Sequence, residues 1–200
     1  MIKLKRKWFI LTLVIIFTII SLYSFSCNCI SFSNYNYNQK FDDEFTGLIV
    51  EQEPYNYIKY GCDNIENYGC GAICLYNILY LDGKPEKFSK IIKELDSSLI
   101  FFGLFGSNPF TLTKRLKQNG YNTKIYLNEK DFKVKAKESK YNILVYYNLF
   151  KYYGHYQLFY DYNNSNNTFR FLNPTYTDTL ESYMEDEYVK SSIKFLITVN

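Results

Sequence analysis

The feature that most limits the fold of this 200-residue chain is a change of period along it. Before about residue 120, apolar residues recur at helical spacing; beyond it they alternate with a period of two. Residues 72–80 form one helical run, stopped by Asp82-Gly83-Lys84-Pro85, and residues 86–95 form a second through Phe88, Ile91, Ile92 and Leu95. Ser107-Asn108-Pro109 supplies a cap and a first-turn proline for a third helix, which runs to Gln118 before Asn119-Gly120. The alternating part predicts strands over residues 122–127, 142–148, 156–162 and 168–172. The run at 163–167, all asparagine except Ser165, reads as a hairpin loop between the last two. A short helix within 178–190 and a closing strand over 193–199 complete the pattern. Helices first and strands second specify an α+β domain, with N-terminal helices packed on a mostly antiparallel sheet.

The N-terminus stands apart. Lys3, Lys5, Arg6 and Lys7 precede an uncharged run from Trp8 to about Tyr23, a basic region followed by an apolar one. Ser24 and Ser26 place small residues suitably for cleavage after Ser26, while an uncleaved membrane anchor fits the same run. In either case positive charge ahead of the run puts the rest of the chain outside the cytoplasm. The expected organisation is therefore a signal or anchor over 1–26, a polar lead-in over 27–57, and one domain over 58–200. A net charge of +3, with the basic residues scattered beyond the N-terminus, gives no footprint for nucleic acid. The 22 tyrosines and 17 phenylalanines accompany abundant Asn, Lys and Ile, a compositional bias rather than a stacking surface.

Within Asn67-Tyr-Gly-Cys-Gly-Ala-Ile-Cys74 a cysteine sits between two glycines where a helical pattern begins. Glycine on both sides permits close backbone approach, and the first turn of a helix favours a thiolate. A reacting thiol needs an imidazole nearby, and the chain has one histidine, His155, opening the strand before the asparagine-rich loop. The next strand ends at Asn173-Pro174, about as far beyond the loop as His155 lies before it. Asn173 can therefore face the ring across the hairpin and orient it. Cys27, Cys29, Cys62 and Cys74 complete an odd set of five cysteines. Cys74 lies one helical turn beyond Cys70, where packing is favoured, and a bridge from Cys62 to Cys70 or Cys74 stays open. A single histidine and no paired C-x2-C units argue against a structural zinc.

Cys-Gly-Ala at a helix start, Gly154-His155 in a later strand and Asn173-Pro174 after the next resemble the papain-like cysteine peptidases of the bacteriocin-processing group. The resemblance spans roughly residues 62–199 and includes Gly106 to Leu116, similar to that family's middle helix. It implies a papain-like fold, no metal or organic cofactor, and peptide or protein substrates, cut in that family after a double glycine. It also implies roles: Cys70 as nucleophile, His155 as general base and then acid, Asn173 as the orienting third member. The family's oxyanion glutamine, six residues before the nucleophile, is Asn64 here, which keeps the amide donor on a side chain one methylene shorter. No ATP-binding signature follows, so the resemblance is to a stand-alone, exported peptidase rather than a transporter fusion. Related acyl transfer or amide hydrolysis would use the same residues. A noncatalytic surface protein that kept the scaffold for binding is the rival from another class, and the Asn64 departure is its best support.

Overall fold

The computed structural model describes residues 2–98, 106–148, 153–172 and 179–200. The first helix, α1 (Ile2–Asn38), leads through a 3-10 turn (Gln39–Glu44) and a second such turn (Glu53–Tyr55) into a small hairpin of β1 (Lys59–Tyr60) and β2 (Asp63–Asn64). Next come α2 (Ile65–Tyr68), α3 (Cys70–Leu81), α4 (Phe88–Asp96) and α5 (Pro109–Gln118). The remainder is β3 (Thr123–Tyr126), α6 (Glu129–Lys137), β4 (Tyr141–Asn148), β5 (Tyr153–Asn163), β6 (Thr168–Phe171), α7 (Leu180–Glu185), α8 (Glu187–Lys190) and β7 (Ile193–Val199).

Five of the strands make one antiparallel sheet in the order β3-β7-β4-β5-β6. Strand alternation sorts β4 into two cores. Ile143 and Val145 join α3, α4 and α5, while Leu144 and Tyr146 join Phe132 and Ala136 of α6 and Leu180 and Tyr183 of α7. The protein is thus α+β, with helices covering both faces of an antiparallel sheet. The apolar helix α3 is the centrepiece: every residue from Cys70 to Leu79 is buried, so one helix faces core on nearly all sides.

Two elements depart from the sequence reading. Helix α6 was not anticipated because its sequence is mostly charged and only Phe132 and Ala136 are buried. It starts on an Asn128 cap, has acidic residues in its first turn and lysines in its last, the polarity that suits the macrodipole. The second departure is residues 27–38, expected as a polar lead-in. They continue α1 without a break, and Cys27, Ser31, Asn34 and Asn38 are buried along one face. That stripe reads backbone rather than burying hydrocarbon. Ser31 Oγ donates to Lys93 O, Asn34 Nδ2 donates to Gly61 O, and Asn38 exchanges a pair of bonds with Lys59. The apolar half of α1, from Trp8 to Phe25, leaves its large side chains exposed. It is the one described helix long and apolar enough to cross a membrane, a property that signal sequences share.

Asp96 anchors this junction, accepting from Asn34 Nδ2 at 2.8 Å and from the Gly61 N–H at 2.5 Å. Burial pushes its carboxyl up to about 6, against the pull of those two donors. A folded value above the unfolded one means stability that is full below the ordinary carboxylate range and lost as pH rises through about 6. Between pH 4 and 6 the thermal midpoint should therefore fall relative to that of Asp96→Asn, a difference that cancels the other titrating groups, in paired melts of the two chains.

Candidate functional site

The site is built where α3 meets β5. Strand β6 pairs with β5 at Phe159, Tyr160 and Asn163, and the last described bond on that side runs from Leu172 N to Leu158 O. Upstream of Leu158 no described strand covers that edge of β5. Two thiols of α3 stand there instead. Cys74 Sγ donates to Tyr156 O at 3.6 Å, and the Cys70 sulfur lies where the Tyr156 N–H stabilises its anion. Cysteines four apart on one helix face thus meet both polar groups of one peptide residue, as a neighbouring strand would. All five cysteines are free thiols, so the bridge left open by the sequence is absent.

Close approach sets the glycines. A Cβ on Gly71 would lie 2.6 Å from Ser107 Oγ and 2.8 Å from Ser107 Cβ, and one on Gly69 would lie 2.6 Å from Ile65 O. Ser107 is buried and fixed: its hydroxyl pairs with Tyr60 Oη at 2.5 Å, and its carbonyl accepts from Tyr156 Oη. Three phenols, Tyr60, Tyr147 and Tyr156, surround this point beneath the nucleophile candidate.

His155 is the third residue of the same strand, one before Tyr156, and lines one small cavity with Cys70, Cys74, Ile73 and Asn77. Alternation along β5 sends Tyr156 and Leu158 into the core under α3 and Gln157 and Phe159 toward the opposite core. The imidazole lies with Gln157, whose side chain it hydrogen-bonds, and beside the Tyr146 ring at a centroid distance of 5.7 Å. It lines the same cavity as Cys70, at the stretch of β5 that no described strand covers on that edge. Gln157 is a residue the sequence reading passed over. Its position two after His155 on the same strand face is the signal that could have found it.

The electrostatics differ from the expected activated thiolate. Burial pushes the Cys70 thiol up to about 11, outweighing the Tyr156, Gly71 and Cys70 N–H groups that pull it down. Burial also pushes His155 down to about 4, with the Gln157 hydrogen bond opposing. At neutral pH the pair is thiol and uncharged imidazole. Such a pair can react by general-base transfer at the moment of attack, without a standing ion pair.

The other expected residues fall differently. Asn64 caps α2, its Oδ1 accepting from Asn67 N at 3.1 Å, and it is not among the residues lining the Cys70 cavity. Gln52, unremarked in the sequence, does line it, with Nε2 donating to Glu66 O. Asn173 lies outside the described residues. As a cap, Asn64 should be worth about 1 kcal/mol, so Asn64→Ala is expected to lower stability by that amount in urea unfolding.

No family model matches the chain, and neither does any curated protein. Among solved structures, the chain is similar to the peptidase domain of Streptococcus ComA, a bi-functional ABC transporter involved in a quorum-sensing pathway. Identity is 14%, the TM-score 0.45, and the match covers 65% of this chain and 89% of that one. It is similar also to a double glycine motif protease from an AMS/PCAT transporter in complex with the leader peptide. There identity is 16%, the TM-score 0.44, and coverage 65% and 82%.

Proposed function

We propose that the chain is a cysteine peptidase that hydrolyses peptide bonds outside the cytoplasmic membrane. One observation carries the reading: Cys70 and the chain's sole histidine line one cavity, at the stretch of β5 that no described strand covers. The motif order Cys-Gly-Ala, Gly-His and Asn-Pro, seen in papain-like peptidases of the bacteriocin-processing group, supports it. In this reading Cys70 Sγ attacks the scissile carbonyl carbon as its proton passes to His155. The tetrahedral adduct collapses when His155 returns that proton to the leaving amine, giving a thioester that water then hydrolyses with His155 again as base. Gln157 holds the imidazole, and Asn173 is proposed as the triad's third member. The oxyanion is met by the Cys70 N–H together with a side-chain amide, either Asn64, whose capping oxygen leaves its N–H2 to donate, or Gln52.

No cofactor is invoked. Helix α1 is proposed to deliver the domain across the membrane, as a signal or as a lasting tether. The test is incubation of the full chain, in detergent, with peptides containing double-glycine and other small-residue sites, read by mass spectrometry. Cleavage lost in Cys70→Ala sustains the reading. Cleavage that persists in that variant, or none under any condition that opens the cavity, removes it in favour of the binding module.

A further inference from the structure

Beside Cys70 the helix is already covered by the chain itself. Cys70, Ile73 and Asn77 form one stripe of α3, and Ile49, Val50 and Gln52 line the cavity against them. Residues 45–52 lie outside any helix or strand, yet Phe45, Thr46, Gly47 and Ile49 are tied to α3 by hydrogen bonds. The Asn77 amide takes both groups of one residue: Ile49 N donates to Asn77 Oδ1 at 2.9 Å and Asn77 Nδ2 donates to Ile49 O at 2.8 Å. Tyr76 Oη donates to the Phe45 and Gly47 carbonyls, and Tyr80 Oη donates to Thr46 O. Gln52 fastens the far end to Glu66 O. Ile49 is 2% exposed and Cys70 6%, so this strap and the nucleophile are buried together.

These contacts are made to peptide groups and to one aliphatic side chain, the two features any extended peptide can present. A residue whose N–H and C=O point the same way is extended, and the Asn77 amide serves it as a strand partner would. From these contacts we infer that the α3 stripe from Cys70 to Asn77 is a peptide-binding groove, occupied in cis by residues 45–52. Its ligand class is an extended peptide with an aliphatic residue where Ile49 sits. The inference rests on the peptidase reading for its purpose but not for its test. Substrate then competes with the strap, and the resting chain keeps Cys70 covered.

The experiment follows iodoacetamide labelling of Cys70, mapped by mass spectrometry, on the full chain in detergent near neutral pH. Ile49→Asp removes the aliphatic anchor and should speed labelling by about tenfold or more, since the covered state no longer dominates. A synthetic peptide copying residues 45–51 should restore protection to that variant, and the same peptide with Asp in place of Ile should not. Asn77→Ala should also speed labelling but respond less to the peptide, having lost the groove's own amide. Should Ile49→Asp fail to fold by circular dichroism, Ile49→Ala takes its place with the same expectations. Unchanged labelling in folded variants, or faster labelling that the peptide does not slow, overturns the groove. Peptide protection without any turnover would keep the groove and drop the peptidase; turnover with no strap effect would do the reverse.

Discussion

On the proposed peptidase reading, replacing His155 with alanine should abolish peptide hydrolysis, lowering kcat/KM by about 10⁴-fold or more, while the chain stays folded. The chain has no second imidazole to take its place. The fold should tolerate the change because the strand that carries the ring is held by the β4 ladder from Asn148↔Tyr153 to Tyr141↔Tyr160. The pH profile gives a second readout. A base held down to about 4 by burial stays uncharged over nearly the whole physiological range. Protonation below that value removes the base, so kcat/KM should fall only as pH drops through about 4, rather than near the ordinary histidine value. The same electrostatics bear on labelling of the resting chain. With Cys70 near 11 and His155 uncharged, iodoacetamide should react slowly whether or not the histidine is present. Hydrolysis, not resting thiol reactivity, is therefore where loss of the histidine shows.

Much of this arrangement was legible because it follows from periodicity. Residues 72–80 became α3 with two residues more at the start and one at the end, and residues 193–199 became β7 without change. Proline at the start of α5 and the Asn-rich loop after β5 marked boundaries through backbone constraint alone. What escaped was recognition through polar groups. Nothing in Ser31, Asn34 and Asn38 distinguishes side chains that bind the backbone of α4 and of a folded hairpin from side chains that face water. The strap escaped for the same reason, since Asn77 looks like a polar interruption in an apolar helix until Ile49 lies against it. The protonation states escaped because helix position suggests a lowered thiol, whereas burial, invisible in a lone sequence, acts the other way and is the larger effect.

Gly71→Ala should destabilise the protein by about 3 kcal/mol, at the upper end of what one added methyl costs in a packed interior. The size follows from what the new Cβ would meet. At 2.6 Å from Ser107 Oγ and 2.8 Å from Ser107 Cβ, something must move. A flexible side chain would give way, but Ser107 is held from two directions, by Tyr60 at its hydroxyl and Tyr156 at its carbonyl. Tyr156 itself belongs to the strand whose peptide meets Cys70 and Cys74, so the expected relief moves α3 away from Ser107 and from the strand bonded to it. That displacement separates the Cys70 sulfur from the Tyr156 N–H and opens the cavity that His155 lines. Gly71→Ala should therefore lose activity even below its lowered melting temperature. Gly47→Ala, with open space around the added atom, should change neither property measurably. Thermal melts and hydrolysis of one peptide by both variants would decide it. If Gly71→Ala melts with the wild-type chain, the packing of α3 on Ser107 and β5 is looser than drawn. The close approach of α3 and β5 that brings thiol and imidazole into one cavity would then have to be given up.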